Sequence, residues 1–340
     1  MKKIPVNEAV GSVLCHDITQ IIPGVLKDIA FKKGHIILEE DIPLLLSIGK
    51  ENLYVWEKKE GYLHENDAAQ RLRILTAGEG LTFSEVKEGK INFIADYPGL
   101  LTINTNLLYQ LNSLGEIILV TLHNNYPVKK GQKVAGTRVI PLVIEEDKII
   151  KAEKLIGTEK IVNVHPFIPM KVGIVTTGSE VFKGRIKDAF GPVIRRKVEE
   201  YGCVVLGQSI VSDEENNITK AIEEWIGKGA EMVICTGGMS VDPDDVTPTA
   251  IQKTGAEIIT YGAPVLPGAM FLLAYKGEIP ILGLPGCVMY SRTTIFDLVL
   301  PRILTNEKLS FADLAAYGHG GLCNECEECK YPDCAFGKGI

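Results

Sequence analysis

A buried strand that runs into a glycine loop is the feature that most constrains what this chain can fold into. Residues 232–235 form a short apolar run, which indicates a strand, and Gly237 and Gly238 follow it almost directly. Thr247 and Pro248 then predict the start of a helix, with Thr247 as its cap and Pro248 at the first helical position. In open α/β sheets, ligands bind at the carboxyl ends of the strands, where such a loop lies. The sequence therefore predicts a ligand site on this loop.

Three aspartates close to these glycines indicate what the site binds. Glycine has no side chain, so a phosphate can approach the backbone of Gly237 and Gly238. Asp242, Asp244 and Asp245 supply carboxylate oxygens, which suit a hard cation such as Mg²⁺ held against that phosphate. The alternative interpretation is a solvent-exposed acidic turn, because aspartate is also a common turn former.

The surrounding residues alternate between strand and helix patterns. Short apolar runs that indicate strands alternate with longer amphipathic segments at helical spacing, which is typical of a parallel α/β sheet. The predicted strands are residues 172–175, 203–206, 232–235, 256–260, 270–275 and 279–282. The predicted helices include residues 190–201, 218–226 and one long helix over 287–304.

Three of these strands end in a loop that carries glycine. The loops contain Gly178, the pair Gly237 and Gly238, and the pair Pro285 and Gly286. Because the carboxyl ends of parallel strands meet at one edge, we expect the three loops to converge on an anion site. The net charge of −7 does not oppose this, since backbone dipoles supply the local attraction.

Six short segments in this order resemble the molybdopterin-binding domain of molybdenum cofactor biosynthesis proteins. The resemblance covers residues 171–304 and implies a doubly wound, mostly parallel α/β sheet. It also implies binding of molybdopterin or adenylyl-molybdopterin, and assembly into a homo-oligomer, either a dimer or a trimer. The matching segments are residues 177–180, 184–188, 211–214, 236–240 with Asp245, 267–268 and 283–286.

The resemblance also assigns roles to individual residues. Asp188 and Asp245 match acidic positions of the family site, which implies a catalytic role, and Asp242 with Asp245 would hold Mg²⁺. The implied reaction is a Mg²⁺-assisted transfer in which molybdate is inserted into the bound pterin dithiolene. The implied pterin-binding and phosphate-binding residues are Thr177, Gly178, Ser179, Glu180, Asp213, Gly237, Gly238, Met239, Ser240, Pro285 and Gly286.

Two other functions remain open at this point. One is a carrier or sensor that binds the pterin without catalysis, because the Ser-Ala-Met-Asp-Gly-Tyr type of motif found in the molybdenumtransferase branch is missing. The other is a nucleotide pyrophosphatase of the competence/damage-inducible type, because residues 244–247 resemble the acidic motif of that family equally well. The acidic cluster itself favours an enzyme over a carrier.

Four cysteines near the end of the chain form a second motif. Cys323, Cys326, Cys329 and Cys334 lie within 12 residues, a density at which four thiols can wrap one metal centre. The spacing approaches the bacterial iron–sulfur run but has four residues before the last cysteine instead of three. The sequence predicts Zn²⁺ or an iron–sulfur cluster without choosing between them. A flexible reduced tail, a redox switch and a docking element are the alternatives.

Composition limits the class of protein and its partners. The net charge of −7 and the lack of a long basic run disfavour nucleic acid as a partner. The first residues lack the apolar core of a signal peptide, and no apolar run approaches the roughly 18 residues of a membrane helix. We therefore expect a cytoplasmic protein without a membrane partner.

The chain divides best at Pro166 and Pro169, which force extended backbone. Upstream, we expect a helix from His64 onward, capped by Asn66 or Asp67, and a strand over residues 139–144. The predicted segments are a small mixed region (1–60), a β-rich α+β domain (61–165), the α/β domain (170–306) and the cysteine tail (307–340).

Overall fold

A computed structural model describes residues 2–22, 26–55, 60–240, 242–243 and 245–339. Its contacts divide the chain into two compact units. The N-terminal unit comprises Met1–Asp96, Ile103–Leu122 and Gly131–Asn163. The C-terminal unit comprises Tyr97–Thr102, His123–Lys130 and Val164–Ile340. The four segment boundaries given above stay predictions.

Strands and helices follow one another along both units. The strands are β1 (Lys2–Pro5), β2 (Ile18–Ile22), β3 (Leu26–Phe31), β4 (Asn52–Val55), β5 (Tyr62–His64), β6 (Leu81–Phe83), β7 (Lys90–Ala95), β8 (Gly99–Ile103), β9 (Ile117–Thr121), β10 (Tyr126–Val128), β11 (Lys133–Val139), β12 (Val143–Glu145), β13 (Val162–Pro166), β14 (Lys171–Thr177), β15 (Val204–Val211), β16 (Met232–Thr236), β17 (Glu257–Tyr261), β18 (Leu272–Lys276) and β19 (Ile279–Leu284). The α-helices are α1 (Ile42–Ser47), α2 (Glu65–Thr76), α3 (Thr105–Asn112), α4 (Glu146–Ile156), α5 (Ser179–Phe182), α6 (Phe190–Glu199), α7 (Glu215–Gly227), α8 (Thr247–Lys253), α9 (Ile295–Ile303) and α10 (Phe311–Ala316).

The N-terminal unit contains a four-stranded antiparallel sheet in the order β6-β7-β11-β9. Alternate residues of β7 point to its core, with Ile91 and Phe93 fully buried, as expected for a strand with one covered face. The strand predicted over residues 139–144 is wrong as a single strand. It is interrupted between β11 and β12, where Pro141 has no N–H to donate to a ladder.

The start of α2 also differs from its prediction. His64, and neither Asn66 nor Asp67, is the capping residue, and its Nδ1 accepts a hydrogen bond from the Asn66 amide at 3.1 Å. A histidine ring can accept this bond because one of its nitrogens carries a lone pair in the neutral form. Such a cap is hard to foresee because histidine is not among the usual capping residues.

The C-terminal unit is built on a six-stranded sheet in the order β15-β14-β16-β19-β18-β17. The first four of these strands, β15, β14, β16 and β19, run parallel to one another. Strand β18 pairs antiparallel with both β19 and β17. Strand β14 is buried from Val172 to its end, as expected for a parallel strand that is covered on both faces. The prediction of a mostly parallel sheet is confirmed.

Helices cover both faces of this sheet. On one face, Ile174 packs in a core with Ile194 of α6 and Val299 of α9. On the other face, the next residue along β14, Val175, packs in a second core with Ile222 of α7. Successive residues of a strand point to opposite faces, so both faces are buried. The doubly wound α/β architecture is therefore confirmed.

The long helix predicted over residues 287–304 is wrong. A short 3₁₀ turn covers Gly286–Met289, and α9 begins only at Ile295. Thr294 stops the helix from extending backwards, because its extended backbone and side chain form a capping box with Asp297. The Thr294 amide donates to the Asp297 carboxylate at 2.8 Å. Residues 290–294 are thus an irregular segment that follows the third glycine loop.

The cysteine tail is packed into the C-terminal unit, of which it is a part, in contrast to the flexible-tail alternative. Phe336 is only 3% exposed and belongs to the same core as α9. The Tyr331 hydroxyl donates to the Asp297 carbonyl oxygen at 3.0 Å, and the Cys323 amide donates to the Leu266 carbonyl oxygen at 2.8 Å. Apolar burial and backbone hydrogen bonds at both ends therefore hold the tail in place.

Within the part of the chain that is described, no helix is both long and apolar enough to cross a bilayer.

Candidate functional site

The first two glycine loops touch each other at the carboxyl ends of β14 and β16. Gly237 has a φ of 84°, and a Cβ atom added there would lie 2.3 Å from the Thr177 carbonyl oxygen. Gly238 has a φ of 57°, and its added Cβ would lie 2.8 Å from Thr247 Oγ1. Both positions therefore require glycine, for backbone conformation and for space. The sequence correctly places Thr177, Gly237 and Gly238 together.

Thr247 has a different role from the predicted one. It is the first residue of α8, which Val246 precedes as the capping position, and Pro248 comes next. The Thr247 hydroxyl donates to the Gly237 carbonyl oxygen at 2.8 Å instead of accepting from the helix amides. This hydrogen bond fixes the glycine loop to the helix that follows it.

Asp188 holds the start of α6. Its carboxylate accepts hydrogen bonds from the Phe190 amide at 2.9 Å and from the Gly191 amide at 3.0 Å. Gln208 Nε2 donates to the same carboxylate at 2.7 Å and to Thr176 Oγ1 at 2.9 Å. A charged carboxylate that accepts several N–H groups is strongly held. The contacts of Asp188 are those of a residue that positions a helix, and its predicted catalytic role stays a prediction.

Asp213 joins the ends of β15 and β14. Its carboxylate accepts a hydrogen bond from the Ser179 amide at 2.6 Å. Gly178, directly before Ser179, has a φ of 136°, and Glu180, directly after it, is exposed. A carboxylate already bound at the Ser179 amide competes with any phosphate for that donor. Asp213 therefore shapes the first glycine loop, whatever ligand the loop takes.

Met239 and Ser240 continue the second glycine loop in different surroundings. The Met239 side chain is buried against Gly283 of β19, where an added Cβ would lie 2.6 Å from Met239 Cε. Ser240 is exposed. The Tyr261 hydroxyl donates to the carbonyl oxygens of Met239 at 3.2 Å and of Ser240 at 2.9 Å. The sequence did not single out Tyr261, although its place at the end of β17, before Gly262, marks it as an edge residue.

The acidic cluster is partly ordered by its own backbone. The Asp242 amide donates to Asp245 Oδ2 at 3.0 Å, and the Asp245 amide donates to the Asp242 carbonyl oxygen at 2.9 Å. Asp244 lies outside the described residues. Burial, with a smaller effect from the Asp245 charge, raises the pKa of Tyr261 above its usual range. The charge of Asp245 therefore acts on the Tyr261 hydroxyl at the end of the second loop.

The third loop follows the neighbouring strand β19. Pro285 is buried and Gly286 is exposed, and the Val288 amide donates to the Pro285 carbonyl oxygen at 3.1 Å. Because β14, β16 and β19 are adjacent and parallel, all three predicted loops lie at the same edge of the sheet. Ligand binding by the individual loop residues stays a prediction.

The four tail cysteines line a single cavity of about 410 Å³. All are thiols, not disulfides: Cys326 and Cys329 are exposed, while Cys323 and Cys334 are half-buried. Among the described residues, no three His, Cys, Asp or Glu side chains are placed to hold one metal ion. Burial raises the pKa of the Cys235 thiol in β16 to about 12.

The structure resembles several solved structures over part of its length. The molybdopterin biosynthesis enzyme MoaB from Thermus thermophilus is 23% identical, with a TM-score of 0.34, and the match covers 41% of this chain and 98% of MoaB. The protein CinA from Thermoplasma acidophilum is 19% identical, with a TM-score of 0.30, and the match covers 35% of this chain and 89% of CinA.

Curated relatives match over a similar part of the chain. A molybdopterin molybdenumtransferase from Synechococcus elongatus is 24% identical over 145 residues, which are 40% of this chain and 36% of that protein. A molybdopterin molybdenumtransferase from Bacillus subtilis is 28% identical over 122 residues, which are 34% of this chain and 28% of that protein. A CinA-like protein from Syntrophus aciditrophicus is 38% identical over 84 residues, which are 25% of this chain and 20% of that protein. The matches thus span between 20% and 36% of the length of these relatives.

Two family models match separate parts of the chain. Residues 3–57 match one described as "Domain of unknown function (DUF8806)". Residues 173–305 match one described as "Probable molybdopterin binding domain". The glycine loops, Asp188, Asp213 and Asp245 all lie within the second match. The resemblance inferred from the sequence is confirmed: residues 173–305 form a domain of the molybdopterin-binding family that occurs in molybdenum cofactor biosynthesis proteins.

Proposed function

We propose that this chain binds molybdopterin or adenylyl-molybdopterin at the carboxyl edge of its parallel strands and promotes molybdate insertion there. The observation that carries the proposal is the contact between the Gly237 backbone and the Thr177 carbonyl oxygen. It joins two glycine loops into one surface, with the Thr177 and Thr247 hydroxyls packed against the glycines, within a domain of the molybdopterin-binding family. Such a surface suits a phosphorylated ligand.

Different residues would bind and orient the ligand. The backbone amides near Gly237 and Gly238 would donate to phosphate oxygens, and the exposed Ser240 would add a hydroxyl. Tyr261 would keep this loop in place through its two hydrogen bonds to backbone carbonyls. Asp188 would act indirectly, by holding α6 and Gln208 at the same edge. Positioning of this kind can supply a large part of a rate enhancement.

Asp242 and Asp245 fit a Mg²⁺ ion by their chemistry. Mg²⁺ binds hard oxygen ligands and is usually held by one or two carboxylates together with water and substrate phosphate oxygens. Asp245 is half-buried beside the second loop, and Asp242 is exposed next to it. When bound, the ion would offset negative charge on the phosphoanhydride. Asp245 would orient the ion, and the Asp242 amide would keep the Asp245 carboxylate in place.

The second candidate function is hydrolysis of a nucleotide pyrophosphate. A specific observation favours it, because the chain is 38% identical to a CinA-like protein over 84 residues. The same loops and the same carboxylates would serve a pyrophosphate, since both ligands present a phosphoanhydride to a cation. The third possible function is that of a carrier or sensor, which would bind its ligand without turnover.

Calorimetric titration of the anaerobically purified protein separates these functions. The ligands are molybdopterin, adenylyl-molybdopterin and nucleotide pyrophosphates, each with and without Mg²⁺ and molybdate. We expect tight binding of adenylyl-molybdopterin and release of AMP only when molybdate is present. Binding without AMP release would indicate a carrier or sensor. Absence of pterin binding, with turnover of a nucleotide pyrophosphate, would indicate the second candidate.

A homo-oligomer, either dimer or trimer, and a cytoplasmic location are further parts of the proposal. Sedimentation velocity of the full chain tests the first of these. A monomer at concentrations well above those of the titration would contradict it.

A further inference from the structure

The cavity lined by Cys323, Cys326, Cys329 and Cys334 is the feature that the proposed function leaves unexplained. We call it the cysteine cavity. Its volume is about 410 Å³, and its other walls include the segment from Tyr290 to Thr293. We propose that the cysteine cavity binds a 4Fe–4S cluster through these four thiolates. The proposal does not depend on pterin binding.

The size of the cavity and the spacing of the cysteines favour a cluster over one zinc ion. Zinc lies about 2.3 Å from each thiolate, so four sulfurs around it are only about 3.8 Å apart. Among the described residues no three such side chains are placed to hold one ion, although all four cysteines face the same cavity. In a cubane cluster each thiolate binds a different iron atom, so the sulfurs stay further apart. A cavity of about 410 Å³ lined by four cysteines is larger than one zinc ion needs and has room for such a cluster.

Two hydrogen bonds point at cysteine sulfurs in the cavity. Thr293 Oγ1 lies 3.1 Å from Cys329 Sγ, and the Glu325 amide donates to Cys323 Sγ at 3.5 Å. Hydrogen bonds to the ligating sulfurs orient them and tune the reduction potential of iron–sulfur clusters. Arg292 also lines the cavity and partly offsets the negative charge of the thiolates, whereas Lys330 is paired with Glu328 at 2.6 Å.

The cavity lies between the packed tail and the segment that follows the third glycine loop. On the tail side, Tyr331 and Phe336 are in ring contact with centroids 6.4 Å apart, and Phe336 is anchored in the core. On the other side, Tyr290 directly follows the 3₁₀ turn Gly286–Met289 that ends the third glycine loop. A bound cluster would thus fix the segment that leaves Gly286. This segment would connect the cluster to the third glycine loop of the proposed pterin site.

The binding step balances as a ligand exchange. A preformed cluster carries four thiolate ligands from its donor. Each cysteine thiol loses its S–H proton and forms one Fe–S bond, while one donor thiolate leaves iron and takes that proton. Four Fe–S bonds form and four break, and no iron atom changes its oxidation state. No external oxidant or reductant is needed.

Transfer from a synthetic cluster tests the proposal. The full chain, purified without oxygen and reduced, is mixed with a 4Fe–4S cluster whose ligands are 2-mercaptoethanol and is then desalted. We expect about four iron and four sulfide ions per chain, the broad visible absorption of a cubane cluster, and an electron paramagnetic resonance signal after reduction. Zinc retained in place of iron, or fewer than about two irons per chain, would overturn the assignment.

Variants separate the cavity from unspecific iron binding. Cys326→Ser combined with Cys329→Ser changes exposed side chains, so the fold should persist, and we expect at least a fourfold loss of iron. Cys287→Ser, a half-buried cysteine outside the cavity lining, is the matched control and should retain full loading. Thr293→Val should keep the iron but lower the reduction potential, because a hydrogen bond to thiolate stabilises the reduced cluster. Equal iron in the double variant and the control would refute the proposal.

Discussion

The carbonyl oxygen of Thr177 lies 2.3 Å from the point that a Cβ atom of residue 237 would occupy. This distance is far shorter than a van der Waals contact, so Gly237→Ala must push the two glycine loops apart. We expect a loss of about 1–3 kcal/mol in the free energy of unfolding, as for other overpacked sites. We also expect at least tenfold weaker binding of adenylyl-molybdopterin, measured by calorimetry.

Gly229 provides the matched control for this variant. Its φ of 86° is nearly that of Gly237, but an added Cβ would meet no atom within 4 Å. Gly229→Ala therefore measures the loss in free energy of unfolding that the left-handed backbone alone causes, about 1–2 kcal/mol. Pterin binding should be unchanged in this control. Equal binding by the two variants would show that the contact between the loops is not part of the ligand site.

Tyr261 is expected to matter for binding although it lies outside the matched motif segments. Tyr261→Phe removes the hydroxyl that donates to the Met239 and Ser240 carbonyl oxygens. The two oxygens share the single hydroxyl proton, and a hydrogen bond contributes about 1 kcal/mol, so binding should weaken roughly fivefold by calorimetry. Tyr109→Phe, at a highly exposed tyrosine of the N-terminal unit, is the control and should leave binding unchanged. A Tyr261→Phe variant with full affinity would contradict this role.

Asp245→Asn tests whether the acidic cluster takes part in turnover. The amide keeps an oxygen that can accept from the Asp242 amide, so the loop should hold its shape. It removes the charge that would hold Mg²⁺, and we expect AMP release to fall by about 100-fold with pterin binding nearly retained. Added Mg²⁺ should restore part of the rate.

Glu257→Gln is the control for this charge change. Glu257 is an exposed carboxylate at the start of β17, the end of that strand opposite to Tyr261. Loss of the same amount of activity in both variants would show a general effect of net charge. Unchanged AMP release in Asp245→Asn would leave the carrier interpretation standing.

Regular elements of the C-terminal unit were predictable because their residues follow simple periodic rules. Strand β16 was expected over residues 232–235 and spans Met232–Thr236, since a continuous apolar run fits only a strand buried on both faces. The convergence of the loops at Gly178, Gly237 and Gly286 followed from the parallel order of their strands.

Features that depend on tertiary partners were not predictable. The helix break at residues 290–294 depends on the reciprocal cap between Thr294 and Asp297, which periodicity over 287–304 does not reveal. Thr247 looked like a cap, but its hydroxyl donates to the Gly237 carbonyl oxygen. The motif that contains Asp188 did not reveal that its carboxylate accepts hydrogen bonds from the amides of α6. In each case a polar side chain has several local partners, and packing decides among them.

Asp313 is expected to make the stability of the C-terminal unit depend on pH. Burial would raise the pKa of its carboxyl, but hydrogen bonds from Ser310 and the buried Arg302 outweigh burial and lower that pKa below its usual value. A lowered pKa in the folded state means that the charged form contributes stability above the unfolded pKa of about 4. That contribution is lost as the pH falls through the lower folded pKa.

Asp313→Asn removes this titration. We expect the variant to be less stable by about 1 kcal/mol near pH 7, since the pair with Arg302 is partly exposed to solvent. The difference between the two proteins should stay constant down to about pH 5 and shrink below about pH 4, where Asp313 becomes protonated and resembles asparagine. Urea unfolding across this range measures it. Glu278→Gln, at an exposed pair with Lys308, should show no such pH-dependent difference. A constant difference for Asp313→Asn at every pH would mean that the carboxylate stabilises the fold through shape and hydrogen bonding alone, and not through its charge.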